Sequence, residues 1–228
     1  MITIGLIDDV SSELDDIRVA ISESWPEIST DELLDFKVYE LKREEGFFES
    51  LKEQIQIDIR EQAICCLIVD YKLDSMRKLI SGSAIVDYVR QIADKFPVIV
   101  LTNAPEAGKL DDYIDPDKVY PKKEFLRIDD ENSKEMVFRI FRNINRYRKE
   151  REQIEAKIND SISKINEESD SADVNLQAVI ELVALEGEYD DYCPTEQSKG
   201  EKAIEQHLDL EELTKLIAEI RELNKDIE

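Results

Sequence analysis

Cys65-Cys66-Leu67-Ile68-Val69-Asp70 is an apolar run that stops abruptly on one carboxylate. A short apolar run bounded by polar residues is the pattern of a strand buried on both faces, most often in a parallel sheet. Open parallel sheets place their chemistry outside the carboxyl ends of the strands. Asp70 stands at such an end. Three further runs end in polar groups. Ile2–Ile7 leads into Asp8-Asp9, Pro97–Leu101 into Thr102-Asn103, and Val119-Tyr120 into Pro121-Lys122-Lys123. One strand ending in Asp is common, since Asp also caps helices and closes turns. Four ends that supply two acids, one acid, a hydroxyl and a basic group, in chain order, are far harder to obtain by chance.

Helical patterns separate these runs. Ser11 or Ser12 can cap a helix with Leu14, Ile17, Ala20 and Ile21 on one face, ended by Trp25-Pro26. Phe36–Tyr39 alternates as a short strand. Phe47, Phe48, Leu51, Ile55 and Ile59 mark a second helix, and Ile85, Val86, Val89 and Ile92 a third after Gly82-Ser83. A polar stretch covers Tyr71–Ser83, and a short Asp-rich segment follows Leu101. The alternation predicts an α/β fold, five strands in a parallel sheet covered on both faces.

A helix from about Asn132 then continues through Ile140, Ile144, Tyr147, Arg151, Ile154, Ile158, Ile162 and Ile165 at three-and-four spacing. Such a stripe needs an apolar partner. A homodimeric coiled coil and packing against the chain's own C-terminal helices are both open. Glu167–Asp173 reads as a turn and Val174–Leu185 as a short helix capped by Asp173 or Asn175. Gly187–Gly200 reads as a loop, and a last helix follows Asp209. The expected domains are 1–145, a long helical extension 146–168, and an acidic α-helical region 169–228.

The formal net charge is −24. This argues against nucleic-acid binding and against anionic membrane surfaces. No apolar run reaches membrane-spanning length. Ile2 already opens a strand, which leaves no room for a signal peptide. Cys65, Cys66 and Cys193 read as reduced thiols of a cytoplasmic protein, and no Cys/His set has zinc spacing. The charge is uneven: residues 171–228 carry 16 acidic and 5 basic side chains, whereas Lys134–Arg151 carries seven Lys/Arg against Glu135 and Glu150. These sets read as solvated helix faces. His207 reads as a surface or interface residue, with a phosphotransfer histidine on a helix as the alternative. Tyr189-Asp190-Asp191-Tyr192-Cys193 reads as a solvated acidic loop.

The segments ITIGLIDDV, CCLIVD, FPVIVLTNA and VYPKKEF, in this order, resemble the receiver domain of two-component response regulators over about residues 1–145. The resemblance implies a doubly wound, flavodoxin-like sheet of order 2-1-3-4-5 and transfer of a phosphoryl group from a histidine kinase or phosphotransfer protein to an aspartate. It implies Asp70 as phosphoacceptor, Thr102 and Lys122 as phosphoryl contacts, and Mg²⁺ held by Asp8, Asp9, Asp70 and the backbone carbonyl of Lys72. Gly82 resembles the glycine that opens the next helix. The chain departs from the pattern in places. Val10 stands where a third acid is frequent, the Asp70–Gly82 loop is long and lacks the usual proline, and Lys123 replaces a proline. Lys123 is therefore the alternative lysine. Lys122 is preferred because it leaves Val119 and Tyr120 as consecutive buried strand residues. Receivers with such departures resemble those of bacterial signalling and defence gene clusters. The expected output is a protein contact or a phosphate sink, with no conventional enzyme turnover beyond self-phosphorylation and slow self-dephosphorylation. The alternative is a non-phosphorylated scaffold whose helical tail binds a partner. A phosphohydrolase is disfavoured because no acid stands two residues after Asp70.

Overall fold

The computed structural model describes residues 1–28, 32–44, 46–73, 80–109, 114–168 and 176–194. Five strands, β1 (Ile2–Ile7), β2 (Leu34–Val38), β3 (Cys66–Asp70), β4 (Val98–Thr102) and β5 (Val119–Pro121), form one sheet of order β2-β1-β3-β4-β5. Every pairing is parallel. The helices are α1 (Ser11–Ile28), α2 (Phe47–Arg60), α3 (Gly82–Ile92), α4 (Pro105–Lys109), α5 (Lys122–Phe125), α6 (Glu131–Glu168) and α7 (Leu176–Asp190). A 3-10 turn, Pro116–Lys118, precedes β5. This is the α/β architecture expected from the alternation, doubly wound in the order the resemblance implies, with the long helix after it.

The inner strands β1, β3 and β4 are buried at every residue. That is why they read as unbroken apolar runs and not as alternating ones. On one face Ile2, Ile4, Leu6, Cys66, Ile68, Ile99 and Leu101 form a single core with Leu14, Ile17 and Ile21 of α1 and Val137, Ile140, Phe141 and Ile144 of α6. Trp25 and Phe141 meet across α1 and α6 with ring centroids 4.6 Å apart. Helix α2 buries Leu51, Ile55 and Ile59, spaced by four, and α3 buries Ile85, Val86 and Val89. The edge strand β2 is only half-buried. It is tied to α2 by the buried carboxylate of Asp58, which accepts hydrogen bonds from Tyr39 Oη and Lys37 Nζ, each at 2.7 Å.

Several local expectations are corrected. The serines lie inside the first turn of α1, and Val10 precedes it with its carbonyl accepting from the Glu13 and Leu14 amides. Pro26 does not stop the helix, which runs to Ile28. A proline in the last turn removes one backbone donor there and nothing downstream depends on it. The cap of α3 is Ser81, whose hydroxyl accepts from the Ala84 amide at 3.2 Å. Gly187 lies within α7 and does not open a loop. Most of the turn at Glu167–Asp173, the α7 cap, His207, the loop residues after Pro194 and the helix after Asp209 lie outside the described residues.

The chain divides into two compact units. The first holds Met1–Glu152 and takes in Asp190–Pro194, and the second includes Gln153–Tyr189. Asp190–Pro194 is not a solvated loop. Tyr192, Cys193 and Pro194 are buried, and only the two Asp side chains face water. Tyr147 Oη donates to the Tyr192 carbonyl at 2.8 Å, and the Lys95 amide donates to the Asp191 carbonyl at 2.8 Å. Tyr147 also stacks on Tyr192 and meets Phe96 edge-on. In the second unit Ile154, Ile158 and Ile165 of α6 and Leu182 and Leu185 of α7 are buried within the single chain.

Candidate functional site

Strand β1 has β2 on one side and β3 on the other, so the direction of winding reverses between β1 and β3. A crevice opens at the carboxyl ends of strands flanking such a switch point. Asp8 and Asp9 follow β1, and Asp70 is the last residue of β3. Each of the three offers a carboxylate oxygen, and these oxygens lie within 4.8 Å of one another. The backbone fixes them. Val10 donates its amide to Asp8 Oδ1 at 2.9 Å, and Lys72 donates its amide to Asp70 Oδ2 at 3.1 Å. Gly82 is required where α3 passes this turn. A Cβ there would run into the Asp70 carbonyl oxygen and the Tyr71 Cα, and both are backbone.

The fourth and fifth strands bring the remaining groups. Asp70 pairs in register with Leu101, and Thr102 is the next residue of β4. Thr102 is 1 % exposed, and its Oγ1 accepts from the Ala104 amide at 3.0 Å. That bond uses a lone pair and not the hydroxyl hydrogen. Lys122 follows β5 as the first residue of α5 and is 2 % exposed, whereas Lys123 points to solvent. Lys122 Nζ donates to Asp8 Oδ2 at 2.6 Å and to Asp70 Oδ1 at 3.0 Å. It also donates to Glu13 Oε2. The structure thus gathers Asp8, Asp9, Asp70 and Lys122 into one cluster with Thr102 on the adjoining strand. It leaves Lys123 outside.

Glu13 was not among the residues expected here. It lies in the first turn of α1, where an acid is ordinarily read as a complement to the helix dipole. Its distance from Asp9 is one helical turn, and that is the only signal the sequence carries for it.

Among the described residues, three carboxylates, of Asp8, Asp70 and Glu13, bond to one ammonium, and Asp9 lies beside Asp8 and Asp70. Burial is the largest influence on Asp70 and raises its pKa to about 6. The charge and hydrogen bond of Lys122 pull it down, while Asp8 and Glu13 push it further up. Burial likewise raises Asp8 above the usual carboxylate range, against the hydrogen bonds from Lys122 and the Val10 amide. Burial also disfavours the charge on Lys122. Its hydrogen bonds to Asp8 and Glu13 and the nearby Asp70 charge outweigh that, and its pKa is raised, so it stays an ammonium. Three hard oxygen donors this close together suit a divalent cation that prefers oxygen ligands. The acid cluster could hold such an ion.

No helix of the described residues is long and apolar enough to cross a membrane. Compared with known proteins, the chain matches no family model and no curated sequence.

Proposed function

We propose that this chain is a phosphoryl-accepting receiver protein, with Asp70 as acceptor and Mg²⁺ as the cation of the acid cluster. One observation carries the reading. A buried lysine from the end of β5 bonds at once to an acid after β1 and to the acid that ends β3. Three chain segments far apart in sequence converge on a carboxylate at the switch point of the sheet, and general packing does not require an ammonium there.

Each residue then has a task. A carboxylate oxygen of Asp70 attacks phosphorus in line, forming an O–P bond while the N–P bond of a phosphohistidine breaks. The bonding pair returns to the imidazole nitrogen, which takes a proton from solvent. Asp8, Asp9, Asp70 and the Lys72 carbonyl would hold Mg²⁺, which offsets the repulsion between the carboxylates and the incoming phosphoryl oxygens. Lys122 gives its compact positive charge to one phosphoryl oxygen. Thr102 donates its hydroxyl hydrogen to another. Asp8, Asp70, Thr102 and Lys122 are buried and already placed, so rate enhancement comes from positioning and electrostatics.

The donor is a histidine kinase or phosphotransfer protein, in the cytoplasm of a bacterial signalling or defence system. The output is a protein contact, or none if the chain is a phosphate sink. The test is direct. Full-length protein is incubated with Mg²⁺ and acetyl phosphate and its intact mass is read, for wild type and Asp70→Asn. One phosphoryl group is expected on wild type and none on the variant. An unchanged wild-type mass sinks the acceptor role and leaves the receiver-like scaffold.

A further inference from the structure

We propose that Glu13 is a positioning residue for Lys122, and that it is the carboxylate that lets go when Asp70 takes up a phosphoryl group. This rests on the phosphoryl-acceptor reading. A lysine ammonium has three hydrogens and no more. In this structure Asp8, Asp70 and Glu13 take all three. A phosphoryl oxygen can be bound by Lys122 only if one of them is released.

Burial decides which one. The side chains of Asp8 and Asp70 are 1 % and 9 % exposed, whereas that of Glu13 is 31 % exposed. Asp8 and Asp70 are also held by backbone amides, from Val10 and Lys72, so moving either away from the ammonium breaks a second buried bond. Glu13 alone of the three has an open side, so its carboxylate can turn into water when it leaves the ammonium. Its place in the first turn of α1 keeps the freed charge favourable, because the helix N-terminus carries partial positive charge.

Glu13 therefore acts in opposite directions on two ligands. Before phosphorylation it shares the ammonium, so Lys122 holds Asp8 and Asp70 less firmly and both are easier for a divalent cation to recruit. Its own charge adds to that attraction. After Mg²⁺ is bound, the same charge repels the phosphoryl oxygens and competes with them for Lys122. A residue that merely supported the fold would weaken both ligands together.

The test uses full-length wild type, Glu13→Gln and Glu13→Ala, with two calorimetric titrations each. One is Mg²⁺ alone. The other is beryllofluoride, a phosphoryl mimic, at saturating Mg²⁺. For both variants Mg²⁺ affinity is expected to fall and beryllofluoride affinity to rise, each by about two- to fivefold. Unliganded thermal melts of both variants confirm that the compared proteins are folded. Two affinities that move the same way, or that do not move in either variant, overturn the role of Glu13 while leaving the acceptor reading intact. A wild-type protein that binds Mg²⁺ but not beryllofluoride overturns the acceptor reading and this inference with it.

Discussion

Replacing Lys122 by Met removes the ammonium bonded to Asp8, Asp70 and Glu13 and keeps the bulk of the side chain. Lys122 and Asp8 are almost fully buried, so water cannot repair the loss. Deleting one partner of a buried pair costs about 3–5 kcal/mol. For a unit of this size each kcal/mol moves the melting midpoint by about 2–4 °C, so the variant should melt roughly 6–20 °C lower at pH 8 in EDTA. The sign with pH follows from Asp70. Its folded pKa is raised, to about 6 even with Lys122 present. Between that value and the unfolded value near 4, the folded state binds a proton that the unfolded state does not. Stability from this group therefore grows as pH falls through about 6 and is lost as pH rises above it. Without the lysine the folded pKa climbs further, and the penalty at pH 8 deepens. The variant's deficit should be largest at pH 8, shrink towards pH 5, and shrink at pH 8 when Mg²⁺ is added. Circular-dichroism melts at the two pH values, with EDTA or Mg²⁺, read this out. A deficit equal at both pH values, or no deficit at pH 8 in EDTA, refutes the claim that Lys122 neutralises buried carboxylates.

Three further outcomes follow from the same geometry. Mg²⁺ affinity, measured by calorimetry from pH 8 to pH 5, should fall as pH drops below about 6, because a proton on Asp70 competes with the ion; a flat profile would remove Asp70 from the ligand set. Gly82→Ala should push the end of β3 out of place, lower stability by about 1–3 kcal/mol and weaken Mg²⁺ binding; an unchanged melt and affinity would mean that the turn at Asp70 yields freely. Tyr147→Phe removes the hydroxyl that bonds the Tyr192 carbonyl, costs about 1 kcal/mol, and should speed hydrogen exchange at the Lys95 amide, which donates to Asp191. Unaltered exchange at Lys95 would show that Asp190–Pro194 does not depend on Tyr147.

The strands were legible because three of them are buried on both faces, which leaves apolar runs with sharp polar ends. The convergence of Asp8, Asp9 and Asp70 followed from those ends and from the winding rule. The choice between Lys122 and Lys123 was weaker, since adjacent residues of one type differ only in the direction the backbone gives them. That direction is set where β5 turns directly into α5. Glu13 escaped because its function lies in a contact with a residue more than a hundred positions away. Asp190–Pro194 was misread for another reason. Its two Asp residues dominate the composition, yet they point outward while Tyr192 and Cys193 are buried. Gly187 was misread because glycine permits a helix interior even though it disfavours one.

Lys122 has a mechanical neighbourhood as well as an electrical one. It is the first residue of α5, and α5 ends at Phe125, a side chain with no exposure at all. The carbonyl of Phe125 accepts from the hydroxyl of Ser133, in the first turn of α6. Ammonium, ring and helix root thus belong to one stiff bracket a dozen residues long. A displacement of the Lys122 backbone is passed on to Phe125 and to the first turn of α6. The lysine that balances charge at the crevice is therefore also tied, through Phe125 and Ser133, to the root of α6.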